Sequence, residues 1–563
     1  MHTTDKKLIF LVFIFFFLIN VISSGGHLDW WDGTEAFLVT ESMVLKRTAM
    51  LDPTVPSVKD LGFNVNYTVY SNTALQGGNA SNPSSVTLQP VYTVRSLLLS
   101  AAAVPFYYAA IVFSSSPDVV VGLLVNSLFI SLTAVIIFCV CIEVLRSVKI
   151  AFIMSLIYGV CSFVWPYNAT FWVQPLQGLL LVTSAYFILL TSHGSDSFLC
   201  SYILERRMKS FSFAGLAGLL LGLSVFAHPT SLIFVPAFLA YSFFSVMRHQ
   251  KMDFILLIVV LGAVLFCAGL TNYARFHSFT EFGYGYFSTL SAHDGWKGLI
   301  GLLVSPGAGL IFYFPLAILL PLGAKYMYKE NKSLFYLCIY IIVANWIYYG
   351  TLSFGFEPAS WSGGIAWGPR YLLPVLPFML ITLGYIFRNI KKRIFLKSIV
   401  LGLCIAGFYV NLSGVLIWFQ YGLMYGWVIE QLASYPNYMD RMTWYPIYSP
   451  IVMHTKALAT DYISTIHPEQ YVNTSWSWAG YGNAPCKYDF YVYCNFGVIP
   501  FLAAIVSIVI IEMLIADRIR VFPFPYIKRF SRVVYNRGIL GALMSITRHH
   551  RGVHSGKQIW KNH

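Results

Sequence analysis

Long apolar stretches recur along the whole chain, and they are the feature that most restricts how it can fold. The 563 residues are 57% hydrophobic and only 11% charged, whereas about 25% of the residues of a typical soluble domain are charged. About a dozen stretches are long enough for a helix that spans a bilayer, which takes roughly 20 apolar residues. The runs are continuously apolar and do not alternate, so they predict helices and not a membrane barrel. We therefore expect an all-α polytopic membrane protein with about 12 transmembrane helices.

The basic residues fall in short clusters between the apolar spans, and this distribution predicts the topology. Lys6 and Lys7 precede the first span, so the N-terminus is expected in the cytoplasm. All later clusters fall on the same side if the apolar segment near 94–113 lies along the outer surface and does not cross. Topology and anionic lipids thus explain the net charge of +14, and no nucleic-acid partner is expected. We predict a multi-pass cell-membrane protein with cytoplasmic termini and an extracytoplasmic active site.

The predicted topology divides the chain into three regions. Residues 1–418 form the expected transmembrane catalytic region, residues 419–495 an outer loop of unknown role, and residues 496–563 the last transmembrane helix and a basic cytoplasmic tail. The catalytic region carries outer loops at 25–118, 272–306 and 351–370. The predicted spans lie near residues 8–24, 119–145, 150–166, 175–192, 211–227, 231–247, 253–271, 307–324, 333–350, 371–387, 398–418 and 496–515. Cys486 and Cys494 share the last outer loop, where an oxidising environment allows a disulfide.

An acidic motif, "DWWDGTEAF", follows the first span directly. It contains Asp29, Asp32 and Glu35, and carboxylates are costly to dehydrate near a membrane, which favours a functional role. Asp32 and Glu35 are spaced i and i+3 and share one face if the segment is helical. Such a pair can act as a base, bind a divalent cation such as Mg²⁺ or Mn²⁺, or orient a substrate hydroxyl. The alternative is a helix start, with an Asp as the N-cap and Glu35 completing a capping box.

Arg370 is the main candidate for binding substrate. It lies in "EPASWSGGIAWGPRYLLPVLP", at the predicted outer mouth of a span. A planar guanidinium can pair two phosphate oxygens, although an Arg in this position can also reach towards lipid headgroups. The further candidates for binding substrate are polar or aromatic residues predicted near the same surface, namely Lys297, His293, Trp361, Trp367, Tyr167, Gln174 and His228. The indole rings can stack on a sugar ring or an isoprene chain, and His228 can contact a phosphate or an acceptor.

These motifs together resemble the GT-C class of polytopic glycosyltransferases, which contains the protein O-mannosyltransferases and the aminoarabinose transferases of lipid A. The similarities are an inner N-terminus, one span, an outer loop that opens with "DWWDGTEAF", and a surface-lying helix before the second span. The strings "SPGAGLIFYFPL" and "WSGGIAWGPRYLLPVLP" look like those of uncharacterised prokaryotic members. The class often has a second acid between spans 3 and 4, where this chain has Gln174 as the nearest polar residue.

The resemblance implies an inverting hexosyl- or pentosyltransferase. Its donor would be a sugar on a polyprenyl phosphate, and its acceptor a lipid, a glycan or a protein. Asp32 matches the catalytic base by position, with Asp29 as its competitor and Glu35 as its helper. The alternatives are a transporter or flippase for a lipid-linked substrate, and a non-catalytic membrane scaffold. An oligosaccharyltransferase carries its "WWD" string in a large C-terminal domain, whereas here it follows the first span.

Overall fold

Helices make up nearly all of the regular structure in the computed structural model. The structure describes residues 3–28, 32–60, 92–113, 115–193, 210–247, 250–283, 290–291, 295–351, 353–354, 360–364, 366–390, 394–417, 437–459 and 488–519. Its α-helices, in chain order, are α1 (Thr3–Ile22), α2 (Asp32–Leu45), α3 (Pro56–Asp60), α4 (Leu97–Val112), α5 (Pro117–Leu145), α6 (Val148–Val160), α7 (Gln174–His193), α8 (Ser210–Ala227), α9 (Val235–Ser242), α10 (Lys251–Phe276), α11 (Gly295–Val304), α12 (Leu310–Tyr313), α13 (Leu320–Glu330), α14 (Lys332–Thr351), α15 (Leu376–Asn389), α16 (Ile394–Leu416), α17 (Tyr438–Trp444), α18 (Pro450–Ala459), α19 (Tyr491–Phe496) and α20 (Val498–Arg518).

Short elements of other kinds connect these helices. The 3₁₀ segments are Trp165–Ala169, Pro229–Phe234, Pro315–Leu319, Ser360–Ser362, Arg370–Val375 and Pro446–Tyr448, and Phe243–Met247 is a π-helical turn. Two strands of two residues each, β1 (Leu290–Ser291) and β2 (Ser353–Phe354), pair in antiparallel register, with Leu290 opposite Phe354.

Within the described residues, eight helical segments are long and apolar enough to cross a membrane, which confirms the predicted all-α polytopic fold. They are Pro117–Leu145, Gln174–His193, Pro229–Met247, Lys251–Phe276, Lys332–Thr351, Arg370–Asn389, Ile394–Leu416 and Val498–Arg518. The shorter apolar helices are Lys7–Ile22, Leu97–Val112, Val148–Val160 and Phe213–Ala227. All but one of the predicted spans coincide with one of these segments.

The exception is the predicted span at 307–324, which is broken. Phe314 separates α12 from the following 3₁₀ turn and has φ −143° and ψ 74°, outside the helical region. The cause is Pro315, because a proline disfavours the α conformation of the residue before it and has no N–H to donate. The segment therefore consists of three helical pieces, α12, the 3₁₀ turn and α13, instead of one continuous helix.

Helix α4 corresponds to the apolar segment that the sequence predicts on the outer surface. It begins after Ser96, whose hydroxyl accepts a hydrogen bond from the Leu99 amide. The Ser100 hydroxyl donates to the Ala36 carbonyl at 2.8 Å, and the Thr40 hydroxyl donates to the Ser100 carbonyl at 3.1 Å. Helix α4 is thus fixed to α2, while its orientation relative to a bilayer stays a prediction.

Buried amides fix the end of α1, from which the acidic motif continues. Asn20 Nδ2 donates to the Ser131 hydroxyl of α5 at 3.1 Å. Asn168 Nδ2 donates to the Asn20 carbonyl at 2.7 Å and to the Ser23 hydroxyl at 2.8 Å. Buried polar groups need such partners, because an unpaired one is costly. The position of α1 relative to α5 and to the 165–169 turn is therefore well defined.

The segment just before α19 and the first residue of that helix contact the same region. The Tyr491 amide donates to the Ser24 carbonyl at 2.9 Å, and His27 Nε2 lies 2.6 Å from Asp489 Oδ1. Burial by itself would lower the pKa of His27, but the nearby Asp489 carboxylate raises it above its ordinary value. Cys494 is disulfide-bonded, and Cys486, its expected partner, lies outside the described residues.

Candidate functional site

Asp32 contacts two arginines from distant parts of the chain. It is the first residue of α2. Its Oδ1 lies 2.8 Å from Arg95 Nη2, and its Oδ2 accepts a hydrogen bond from Arg370 Nη2 at 2.5 Å. The Asp32 side chain is 28% exposed, so it is not fully enclosed by protein. The two predicted residues Asp32 and Arg370 therefore lie at one site.

Glu35 lies one helical turn after Asp32 and shares one of its partners. Its Oε2 accepts a hydrogen bond from Arg95 Nε at 2.8 Å, and its side chain is buried. Arg95 therefore joins both carboxylates, and the sequence analysis did not identify it as a site residue. One signal was available: Arg95 opens an apolar segment on the predicted outer side, where basic residues are disfavoured.

Arg370 lies over an indole ring. Its Cζ is 3.7 Å from the ring centroid of Trp172, a cation–π contact. Its Nη1 lies 3.5 Å from the Gly363 carbonyl, and its buried Nε has no hydrogen-bond partner among the described residues. Gly363 has φ +89°, and a Cβ there would lie 3.1 Å from Arg370 Cβ, so glycine is required for this approach. The guanidinium is held in place and retains an unused donor.

His228 faces the same charges as a neutral ring. Its Nδ1 accepts from the Thr230 amide at 3.4 Å and lies 2.8 Å from the Thr230 hydroxyl. Burial and the positive charges of Arg370 and Arg95 lower the pKa of His228 to about 3, despite an opposite effect of Asp32. Because Nδ1 is the acceptor, the proton of the neutral ring is on Nε2. His228 can therefore donate one hydrogen bond without adding a charge.

The environment shifts the pKa values of Asp32 and Glu35 in opposite directions. Burial by itself would raise the pKa of Asp32, but the charges of Arg95 and Arg370 outweigh it and hold that pKa below its ordinary value. Burial raises the pKa of Glu35, and Arg95 offsets this effect only in part. Two carboxyl groups whose pKa values are moved apart can take different acid–base roles. Asp32 is the group that stays ionised.

Several predicted ligand-stacking residues are buried within the protein. Trp367 is fully buried: its Nε1 donates to Asn411 Oδ1 at 3.2 Å, and its ring packs on Tyr313 and His454. Trp361 is also buried, and its ring covers Gly301, where a Cβ would lie 2.2 Å from it. The expectation that these two indoles stack on a sugar or an isoprene chain is corrected here, because protein atoms cover them. Their burial follows from the tight packing of the glycine-rich segment that carries them.

Tyr167 also has a packing role but lies closer to the site. It is fully buried, and its hydroxyl donates to the Trp367 carbonyl at 3.0 Å. Its ring lies 5.5 Å from that of Trp172, centroid to centroid. Tyr167 thus supports the ring on which Arg370 lies, and is itself shielded from any ligand.

The remaining predicted residues are placed differently. Gln174 begins α7, is buried, and its Oε1 has no hydrogen-bond partner in the described part of the chain. Lys297 is half-buried on α11, and Arg95, not Lys297, is the second cation on Asp32. Asp29 and His293 lie outside the described residues.

The described carboxylates do not fit a divalent cation. Both oxygens of Asp32 contact arginines, and Glu35 Oε2 contacts Arg95 as well. Within the ranges that the structure describes, no group of three or more His, Cys, Asp and Glu side chains is placed to hold a metal ion. Here, guanidinium groups occupy the positions where a cation would meet the carboxylates.

Comparison with known proteins gave one weak structural likeness. No family model and no curated protein matches the chain. A solved structure of the archaeal oligosaccharyltransferase AglB from Archaeoglobus fulgidus, in complex with an inhibitory peptide and a dolichol-phosphate, aligns with a TM-score of 0.29 and 15% sequence identity. The alignment covers 96% of this chain and 55% of that one, so the chain spans about half the length of that protein.

Proposed function

We propose that the chain is a membrane glycosyltransferase that moves a sugar from a polyprenyl-phosphate donor to an acceptor on the extracytoplasmic side. The observation that carries the proposal is the arrangement of Asp32 between Arg95 and Arg370, with one carboxylate oxygen on each. In the cleavage of a sugar–phosphate bond, a base can take the proton of the acceptor and cations can stabilise the leaving phosphate. The resemblance of the sequence motifs to the GT-C class supports the same reaction.

The arginines would serve the leaving phosphate. Arg370 has a buried Nε without a partner among the described residues and a guanidinium held over the Trp172 ring, and a guanidinium can pair two phosphate oxygens at once. Arg95 adds a second positive charge at the site. Fixed donors aimed at developing negative charge are commonly worth a factor of about 10²–10³ in rate each.

Asp32 would act as the general base. Its lowered pKa keeps it ionised near neutral pH, and a donor phosphate that pairs with Arg370 would release Oδ2 to face the acceptor hydroxyl. The acceptor oxygen then forms a bond to the anomeric carbon while the bond from that carbon to the phosphate oxygen breaks. The electron pair of the broken bond stays on the phosphate, and the acceptor proton passes to Asp32. A single displacement of this kind inverts the anomeric configuration.

No step of this proposal uses a metal ion. By their sequence spacing, Asp32 and Glu35 could also bind a divalent cation. In the described site the arginines already neutralise these carboxylates, and they would supply the positive charge that the leaving phosphate needs. We therefore propose a transfer reaction that persists in the presence of a chelator.

Binding of undecaprenyl phosphate to the purified full-length protein in lipid nanodiscs tests the proposed donor class. We expect Arg370→Lys to weaken this binding about tenfold or more, because a point charge replaces a planar fork. Undecaprenol, which lacks the phosphate, should bind weakly to both proteins. Equal affinity of the wild type and Arg370→Lys for undecaprenyl phosphate would remove Arg370 from donor recognition.

A further inference from the structure

Arg275 lies at the end of α10 and points its charge into the protein. It is buried, although α10 is an apolar helix with mostly exposed side chains. Its Nη2 donates to the carbonyl oxygen of Thr93 and, at 3.2 Å, to that of Arg95. A basic residue in the last turn of a helix is favoured by the helix dipole, but these two carbonyls belong to another segment. Arg275 thus binds the backbone that carries Arg95.

The segment from Thr93 to Arg95 precedes α4 and has no helical hydrogen bonds of its own. The Thr93 hydroxyl accepts from the Arg95 amide at 3.3 Å, and Arg275 donates to the Arg95 carbonyl at 3.2 Å. The neighbouring Val94 side chain packs closely against Gly283, where a Cβ would lie 3.0 Å from it. Both the amide and the carbonyl of Arg95 therefore have a defined partner.

The position of this backbone decides where the guanidinium of Arg95 lies. Two ion pairs at 2.8 Å, one to Asp32 and one to Glu35, require the long side chain to start from one defined place. A displacement of about 1 Å in such a constellation is enough to reduce function strongly. The geometry points to Arg275 as a positioning residue, which orients Arg95 and through it the carboxylates of the site. This inference rests on the proposed function.

A double-mutant cycle in full-length protein tests this role. Dissociation constants for undecaprenyl phosphate are measured in nanodiscs for the wild type, Arg95→Gln, Arg275→Gln and the double variant. If Arg275 acts through Arg95, each single change weakens binding about tenfold and the double variant binds no more weakly than Arg95→Gln. Independent losses would multiply to about a hundredfold and would overturn the inference.

Two further variants test whether the effect is specific to Arg275. Arg275→Lys keeps the charge but replaces the planar guanidinium with an ammonium group, so its affinity should lie between those of the wild type and Arg275→Gln. Arg388 is the matched control: it lies in the last turn of α15, donates to the Val144 carbonyl at 3.4 Å and pairs with Glu330. Arg388→Gln should bind undecaprenyl phosphate as the wild type does. A loss equal to that of Arg275→Gln would mean that the effect is not specific to the site.

The same double-mutant cycle can be measured through the midpoint temperature of thermal unfolding, which needs no ligand. The midpoint of the double variant should equal that of Arg95→Gln, because the interaction that Arg275 supports is already lost. Additive midpoint shifts would overturn the inference even if the protein binds no undecaprenyl phosphate. By contrast, coupled midpoints with no binding by the wild type would support the role of Arg275 and contradict the proposed function.

Discussion

Two carboxylate clusters lie at opposite ends of the helical bundle. They differ in the exposure of the carboxylate side chain and in whether a hydrogen-bond donor remains unused. At one end Asp32 contacts Arg95 and Arg370. At the other end Glu143 Oε1 lies 2.8 Å from His193 Nδ1 and 3.7 Å from Arg146 Nη2. Helix α7 begins near the first cluster and ends at the second, and its 20 residues span about 30 Å.

The Glu143 cluster has the form of a structural contact. Glu143 and Arg146 are one turn apart, and His193 ends the helix packed beside them. The Glu143 side chain is 0% exposed, so no ligand can reach it. The cluster joins the ends of α5 and α7 and satisfies a buried charge, as a buried carboxylate requires.

The Asp32 cluster differs in three respects. Its carboxylate is partly open, its cations come from segments far apart in sequence, and Arg370 keeps an unused donor above an indole ring. A buried ion pair alone therefore does not indicate function. Accessibility and unused hydrogen-bonding capacity distinguish a site from a structural contact.

The largest effect that separates the two clusters concerns stability. Glu143→Gln removes the negative charge beside Arg146 and replaces the carboxylate that contacts His193, and we expect the free energy of unfolding to fall by about 2 kcal/mol. Undecaprenyl phosphate binding should be unchanged at a temperature where the variant is folded. Thermal unfolding in detergent and the nanodisc binding measurement check the two parts. A weakened affinity in folded Glu143→Gln would erase the distinction between the clusters.

A smaller effect is a shift in pH dependence at the Asp32 cluster. Arg95 helps to hold the pKa of Asp32 below its ordinary value, so Arg95→Gln should raise that pKa. The base is active when ionised, and activity therefore rises as the pH increases through the pKa. The acid limb of sugar transfer should move to higher pH in Arg95→Gln, as measured in membranes from acidic to neutral pH. An unmoved acid limb would mean that Asp32 is not the titrating group.

The sequence predicts the helices well because the membrane imposes one simple requirement on them. An apolar run of sufficient length in a bilayer forms a helix, and the predicted spans follow from this rule. The break at Phe314 follows equally from Pro315, but it was not predicted because the apolar run continues across it.

Single residues of the site could be predicted from the sequence, but the contacts between them could not. Asp32 and Arg370 are recognisable as charges at span ends, but they are 338 positions apart, and no local pattern shows that they pair. Arg95 was not identified because it lies at the edge of an apolar segment and belongs to no polar motif. Trp367 illustrates the opposite error, because a tryptophan in a glycine-rich segment has the same sequence signature whether its ring is open to a ligand or covered by protein.

The most direct test of the account is the fate of lipid-linked sugars in a deletion strain that expresses Asp32→Asn. Asparagine keeps the shape of the side chain but cannot take a proton from the acceptor, and loss of a general base commonly reduces rate by about 10²–10⁴. We expect Asp32→Asn to accumulate the polyprenyl-phosphate sugar seen in the deletion strain, at wild-type levels of membrane-inserted protein, while wild type and Glu143→Gln consume it. Full consumption by Asp32→Asn would contradict the account.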